Sequence, residues 1–334
     1  MKVALMVPFV TDETVDLVLH AEKLGVDSVW VPEMWAYDAF TPLAYLAART
    51  SRIKLATGVV QLGARTPASL ASSAMSLQAL SGGRFLLGMG VSGPKVMEGW
   101  HGVRFDAPVT MTRETIEIIR LISAGEKLSY QGKVFQLPLP DSQGRALTSF
   151  APPAHVPIYN AALGPRNLRL TGELADGWLG NAFLPESADV FLDPIAAGAA
   201  ESGRTLADLD LVAPVAVEIT DDVDAVARKH AGGYAFTIGA MGEFYRKAFE
   251  RQGFELDEVV RLWKAGEREA AADAVPVDIG AKTNLLGTEA MIAERITLLE
   301  SVGISTLLVK LDGGIGRQID TLARLLGILS HLNV

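Results

Sequence analysis

The sequence contains no cysteine. That excludes disulfide bridges, thiolate metal sites and a cysteine nucleophile, and it fits a reducing, cytoplasmic location. It also lacks any apolar run of the roughly 20 residues that span a bilayer, so no membrane partner is expected. The apolar opening, residues 1–10, contains Pro8 and is followed by Asp12 and Glu13, which suits a first strand better than a signal segment. Positive charge is in short supply: 30 Lys and Arg stand against 39 Asp and Glu, for a net charge of −9. Such a balance repels a phosphate backbone, so nucleic acid is not an expected partner. Histidine is scarce, and His20, His101, His155, His230 and His331 show no metal-ligand spacing, so no metal site is expected. No internal repeat or low-complexity linker divides the chain, and residues 1–334 read as a single domain.

What is abundant is apolar residue, at 49%. It falls into short continuous runs alternating with helix-period segments. Strands are predicted at 3–7, 28–31, 53–60, 84–89, 157–161, 177–179, 209–219 and 306–311. Helices are predicted at 14–24 with Gly25 as C-cap, and at 42–50, 67–80, 109–123, 165–174, 187–202, 288–302 and 319–332. Near-continuously apolar strands, each followed by a helix, imply a parallel sheet covered on its outer face. Eight such units close most simply as a (β/α)8 TIM barrel. Residues 125–153, with Pro138, Pro140, Pro152 and Pro153, break the rhythm as an insertion after strand 4, and 233–276 form a second insertion after strand 7.

Ligands of such barrels sit at the strand C-termini, and the sequence marks several of those ends with glycine. Lys54-Leu-Ala-Thr-Gly-Val-Val-Gln-Leu-Gly63 runs from a strand into a tight turn, and Gly83-Arg-Phe-Leu-Leu-Gly-Met-Gly-Val-Ser-Gly-Pro94 repeats the pattern. Gly88 to Gly93 matches G-x-G-x-x-G, with Glu114 at the distance of a ribose-binding acid. The context argues against a Rossmann site: Pro94, Gly99 and Gly102 keep the stretch loop-like, and Glu114 lies inside a helical pattern. The glycines then either let the chain turn or let its backbone approach a flat cofactor. Ala161-Ala-Leu-Gly-Pro-Arg-Asn167 follows a strand and opens a helix whose free amides suit an anion, with Arg166 and Arg169 as added charge. An ordinary helix start explains the same residues. Glu33 and Trp35 end the second strand; Trp35 either stacks on a ligand or covers the barrel mouth. His101, beside Trp100, is the one histidine in a loop assigned to the catalytic face, where it is either functional or solvated.

Taken together, Ala21-Glu-Lys-Leu-Gly-Val-Asp-Ser-Val-Trp30, Leu55-Ala-Thr-Gly-Val-Val60, Gly82-Gly-Arg-Phe-Leu-Leu-Gly-Met-Gly90, Ala161-Ala-Leu-Gly-Pro165 and Ala175-Asp-Gly-Trp178 resemble the luciferase-like monooxygenase superfamily over nearly the whole chain. The loop from Ser92 to Gly102 is similar to that of members using the deazaflavin coenzyme F420. The resemblance implies a barrel holding the flat ring at its strand C-termini, with a non-prolyl cis peptide at Gly58-Val59. It implies cofactor contacts from Glu33, Thr57, Gly58, Val59, Val60, Ser92, Gly93 and Pro94, and a phosphate held by Ala161, Ala162, Leu163, Gly164 and Pro165. Glu33 and His101 become candidate proton donors, and Trp35 and Trp100 candidate substrate contacts. The implied activity is hydride transfer between F420 and a small organic substrate, by a homodimer. Alternatives on the same barrel are an FMN-dependent monooxygenase and a non-catalytic flavin-binding protein. The chain departs from the F420-dependent sugar-phosphate dehydrogenases: Met34 stands where their catalytic histidine would be, and Ser92, Gly93 and Pro94 replace their loop glutamate. This argues against sugar-phosphate oxidation.

Overall fold

The computed structural model describes residues 1–332. Its centre is eight parallel strands: β1 (Lys2–Met6), β2 (Ser28–Val31), β3 (Lys54–Thr57), β4 (Phe85–Gly90), β5 (Ile158–Ala161), β6 (Gly177–Leu179), β7 (Asp210–Ile219) and β8 (Thr306–Lys310). Each pairs with its successor, and β8 returns to β1 in the register Lys2↔Thr306 to Leu5↔Val309, which closes a TIM barrel. Alternation along the strands divides their side chains. Ala4, Trp30, Ala56, Leu86, Tyr159, Leu179, Val212 and Leu308 fill the barrel interior. Their neighbours, such as Leu5, Val29, Leu55, Leu87 and Leu307, pack outward against the helices in a larger core. At the lower end Asp210 ties the barrel shut, accepting from Ser305 Oγ (2.6 Å), Thr306 Oγ1 (2.7 Å), Tyr159 Oη (3.0 Å) and Lys2 Nζ (3.2 Å).

The helices start where the chain supplies caps. Thr11, Thr66, Asp222 and Thr288 each accept a backbone N–H in the first turn of the helix that follows. Two helices after β5 and β6, Pro165–Leu174 and Asp189–Glu201, touch backbone to backbone. A Cβ on Gly198 would lie 1.8 Å from Arg169 O, and one on Gly172 would lie 1.9 Å from Ile195 O. Glycine is required at both positions, and the contact fixes where the Pro165 helix begins.

Three features differ from the sequence expectation. The third strand does not run through 53–60. It stops at Thr57, and Val60–Gln61 pairs separately with β4; the Gly58-Val59 bond between them is cis, as the family resemblance implied. The stretch after β4 is not all loop, since Pro94 opens a short helix, Pro94–Gly99. A strand at Leu285–Gly287, too short to stand out in sequence, pairs with the upper end of β7. The insertion after β4 carries a small hairpin, Tyr130–Gln131 with Gln136–Leu137. Glu114 serves that hairpin, accepting from the backbone N–H groups of Lys133, Val134 and Phe135 at 2.6–3.0 Å, and this is why an acid stands inside a helix there. The insertion after β7 is helical, from Val223–Ala240 to Val277–Lys282, with its own core around Ile238, Phe249, Leu256 and Val259. Among the described residues no helix is long and apolar enough to cross a membrane.

Candidate active site

A cavity of about 660 Å³ opens at the C-terminal ends of β2 to β6. Its walls are mostly apolar: Val59 above β3, Val91 above β4, Val109, Leu179 above β6, and Phe236, Met241 and Phe244 from the insertion after β7. Gly90 lies in the floor because a side chain there would press on Val59 Cγ2 at 3.2 Å. An apolar cavity with a few placed polar groups is the form of a small-molecule site.

One end of the cavity is a helix start. Ala161, Ala162, Leu163, Gly164 and Pro165 all line it, and Gly164 is the N-cap of the Pro165–Leu174 helix. No side chain caps that helix, and its first turn holds no acidic residue. Its orphan N–H groups and the positive end of its dipole are therefore left for a ligand. The loop is braced through its carbonyls: Trp178 Nε1 donates to Ala162 O at 2.9 Å, and Arg251 donates to Leu163 O. Asn160 in β5 donates to Asn167 (3.2 Å) and Thr171 (2.8 Å), tying the first helical turns to the barrel. Arg251 has no carboxylate partner among the described residues, and its surroundings push its pKa below the ordinary guanidinium value by desolvation. Arg166 lines the cavity, whereas Arg169 turns away to pair with Glu201, correcting its expected role as an anion ligand.

The other end is polar and rigid. Glu33 lines the cavity with its carboxylate held by two Arg65 N–H groups at 2.7 and 2.6 Å. Arg65 in turn lies over the Phe40 ring at 5.1 Å. Gln61 donates to Glu33 O at 3.2 Å, and its Oε1 meets His101 Nε2 at 2.6 Å. An amide oxygen can only accept, so His101 carries its proton on Nε2. Glu33 is thus a fixed acceptor in the cavity wall.

Residues 4–306 match the family model described as luciferase-like monooxygenase. The chain belongs to the luciferase-like monooxygenase family. A protein of Mycobacterium tuberculosis (strain ATCC 25618 / H37Rv), named as a coenzyme F420-dependent oxidoreductase, is 36% identical over 325 residues, 93% of each chain. A 5,10-methylenetetrahydromethanopterin reductase of Methanolobus tindarius is 36% identical over 256 residues, 75% of this chain and 74% of that one. Among solved structures, the coenzyme F420 dependent tetrahydromethanopterin reductase from Methanopyrus kandleri superposes with a TM-score of 0.79 over 99% of both chains at 24% identity. That likeness carries the fold.

Within this luciferase-like enzyme the structure sorts the residues singled out from sequence. Glu33, Trp35, Val59, Ser92, Gly93 and the five residues 161–165 line the cavity. Thr57 and Val60 lie behind its wall, fully buried, with Thr57 Oγ1 donating to Gly88 O at 2.7 Å. Gly58 faces Trp30, where a Cβ would sit 3.2 Å from the indole. Pro94 starts the short helix beside the cavity and is not part of its lining. Trp100 is 63% exposed and does not line it, so the structure gives it no substrate contact there. His101 reaches the cavity only through Gln61, which makes it a positioning residue for that amide. Sequence reasoning missed Gln61, Arg65, Arg251 and the aromatic wall Phe236, Phe244 and Tyr245. Gln61 and Arg65 carry a faint signal, being polar residues just past an apolar strand; the others come from an insertion with no motif. Among the described residues, no group of three or more His, Asp or Glu is placed to hold a metal ion.

Proposed function

We propose that this protein is an oxidoreductase moving a hydride between coenzyme F420 and a small organic substrate. The observation that carries the reading is the joining, in one cavity, of broad apolar walls to the uncapped helix start at Gly164. A tricyclic ring and a phosphate make those two demands at once. Gly164 supports the fit, since the position of a Cβ there meets no protein atom within 4 Å. The relatives named for F420 favour the deazaflavin over FMN.

When bound, the deazaflavin supplies a carbon centre that gives or takes two electrons as hydride and activates oxygen poorly. The chain does the rest. Val59, Val91, Leu179 and Phe236 would flank the ring and keep water from it, which sharpens every electrostatic contact inside. The amides of Leu163, Gly164 and Arg166 and the Arg166 guanidinium would hold the phosphate, and so set how far the ring enters. Glu33, immobilised by Arg65, would accept a hydrogen bond from the cofactor and fix its rotation in the cavity. With its carboxylate engaged by Arg65, Glu33 is given an orienting role. Trp35, 43% exposed on the rim, stands where a substrate would enter.

The test is a titration of the purified protein with F420, FMN and NADPH, read by cofactor fluorescence and followed by oxygen consumption. Tight F420 binding, weaker FMN binding and no oxygen uptake are expected. A tight FMN complex without F420 binding would favour the monooxygenase reading.

A further inference from the structure

The main cavity uses only part of the barrel mouth. Its lining comes from the ends of β2 to β6 and from the insertion after β7, with nothing from the ends of β1, β7 or β8. A second cavity of about 340 Å³ occupies the ends of β7 and β8, and Thr237 forms a wall of both. At its base stands Lys310, the last residue of β8. Leu308 points into the barrel with Ala4 and Val212, and Lys310, two residues on, shares that face. It is aimed into the mouth and not at bulk solvent around the barrel wall.

The polar groups around Lys310 satisfy one another. Glu218 accepts from Lys229 Nζ at 2.8 Å and from His230 Nε2 at 2.7 Å. Asp312 accepts from the same Lys229 at 2.7 Å. Asn284 accepts from Ala216 N and donates to Gly280 O and Thr283 Oγ1, and Tyr234 Oη donates to Thr283 Oγ1. Among the charged side chains of the chamber, Lys310 alone has no hydrogen bond or ion pair with the described residues, although an ammonium offers three donors. Solvent reaches it through the cavity, yet protein surrounds it, and this desolvation pushes its pKa below the ordinary lysine value. Glu218 and Asp312 share Lys229, so Lys310 brings the chamber's ammonium groups level with its carboxylates and is the cation whose donors are free.

We propose that Lys310 anchors an anionic group of the substrate, of the carboxylate class, in the chamber between β7 and β8, with the reacting part of the substrate extending past Thr237 toward the main cavity. The proposal rests on the reading that the main cavity holds the cofactor. It divides the mouth between two ligands: the β2–β6 half takes the cofactor, and the β7–β8 half takes the substrate. A carboxylate there would take up the free donors of Lys310 without displacing any existing bond.

The full chain loaded with F420 is titrated calorimetrically with acetate, benzoate and succinate, each paired with its neutral amide. The wild type is expected to bind at least one carboxylate roughly tenfold tighter than its amide, the worth of one charge-assisted contact. Lys310→Met should abolish that preference while leaving amide affinity unchanged, and Lys310→Arg should retain it. A second readout uses the wild-type chain without cofactor, where the preferred carboxylate should slow acylation of Lys310 by an N-hydroxysuccinimide ester, followed by mass spectrometry. The absence of any carboxylate preference across the panel, or its persistence in Lys310→Met, would overturn the proposal. Failure of F420 to bind the wild type would strike the cofactor reading instead, and the labelling experiment still reports on Lys310.

Discussion

Gly164→Val separates the binding role of the loop from its structural role. Gly164 has φ −83° and ψ 146°, an ordinary extended conformation. It precedes Pro165, which holds any residue in that region. A Cβ there meets nothing within 4 Å, so the branch point of a valine enters without a clash. Replacing a glycine at a compatible backbone position stabilises by about 0.4–1 kcal/mol through the unfolded chain, so the thermal midpoint should hold or rise slightly. The ligand is a different matter. Gly164 lines the cavity at the uncapped helix start, and a branched side chain there would deny a phosphate its approach to the amides. Each charge-assisted hydrogen bond removed in this way is worth about 1.5–3 kcal/mol, or roughly 10- to 150-fold in Kd. Gly164→Ala should fall between wild type and valine. The assay is F420 fluorescence titration of all three proteins, with circular dichroism melts alongside. Equal affinities in three folded proteins would place the phosphate elsewhere and remove the reason for assigning the loop to the cofactor.

Arg65→Met should destabilise the protein by roughly 3 kcal/mol, because the Glu33 carboxylate, 9% exposed, is left without its only cationic partner among the described residues; denaturant unfolding should show much of this recovered in the double variant with Glu33→Gln. Asp210 gives an acid limb to stability: burial opposes its charge, but hydrogen bonds from Ser305 and Thr306 and the Lys2 ammonium outweigh it and hold its carboxyl below the ordinary 3.8. A depressed folded pKa contributes stability that is complete above that ordinary value and lost as pH falls through the folded one, so melts of Asp210→Asn should show a flatter decline below about pH 4 than wild type. We also expect a homodimer, and light scattering at micromolar concentration that gave only a 35.6 kDa species would refute it.

The barrel is legible in the sequence because its strands are buried on both faces and read as continuous apolar runs. β2 and β6 begin and end where the apolar period predicts, and the Pro165–Leu174 helix does so at both ends because Gly164-Pro165 and Ala175 punctuate it. The loop at 161–165 is legible for the same reason, since backbone chemistry leaves glycine and proline in the sequence. What stays hidden is tertiary. Nothing in the sequence says that Arg65 will reach Glu33 across 32 positions, or that His101 will meet Gln61 across 40. Arg169 has the sequence position of an anion ligand, but the close contact of two helices sets Glu201 beside it. Strand Leu285–Gly287 escapes notice because three residues hold no period.

The same distinction bears on how such a barrel changes substrate while keeping its cofactor. The half proposed for the cofactor is built from strand ends and a helix start: the amides of Leu163, Gly164 and Arg166, a wall at Val59 and a floor at Gly90. Those positions belong to the barrel and its first helical turn, so a substitution such as Gly164→Val costs cofactor affinity there. The helix Val223–Ala240 behaves differently. Tyr234 and Thr237 face the Lys310 chamber, while Phe236 and Thr237 face the main cavity. One turn of one helix therefore lines both cavities. The helix belongs to the insertion and packs on its own small core through Ala231, Ala235 and Ile238, so its exposed face can change without disturbing the barrel. Thr237 is the position where the two spaces meet. A larger residue there narrows the passage between them, and a smaller one widens it. Selection of substrate length should accordingly follow residue 237, and turnover of a chain-length series by Thr237→Ala and Thr237→Val would measure it.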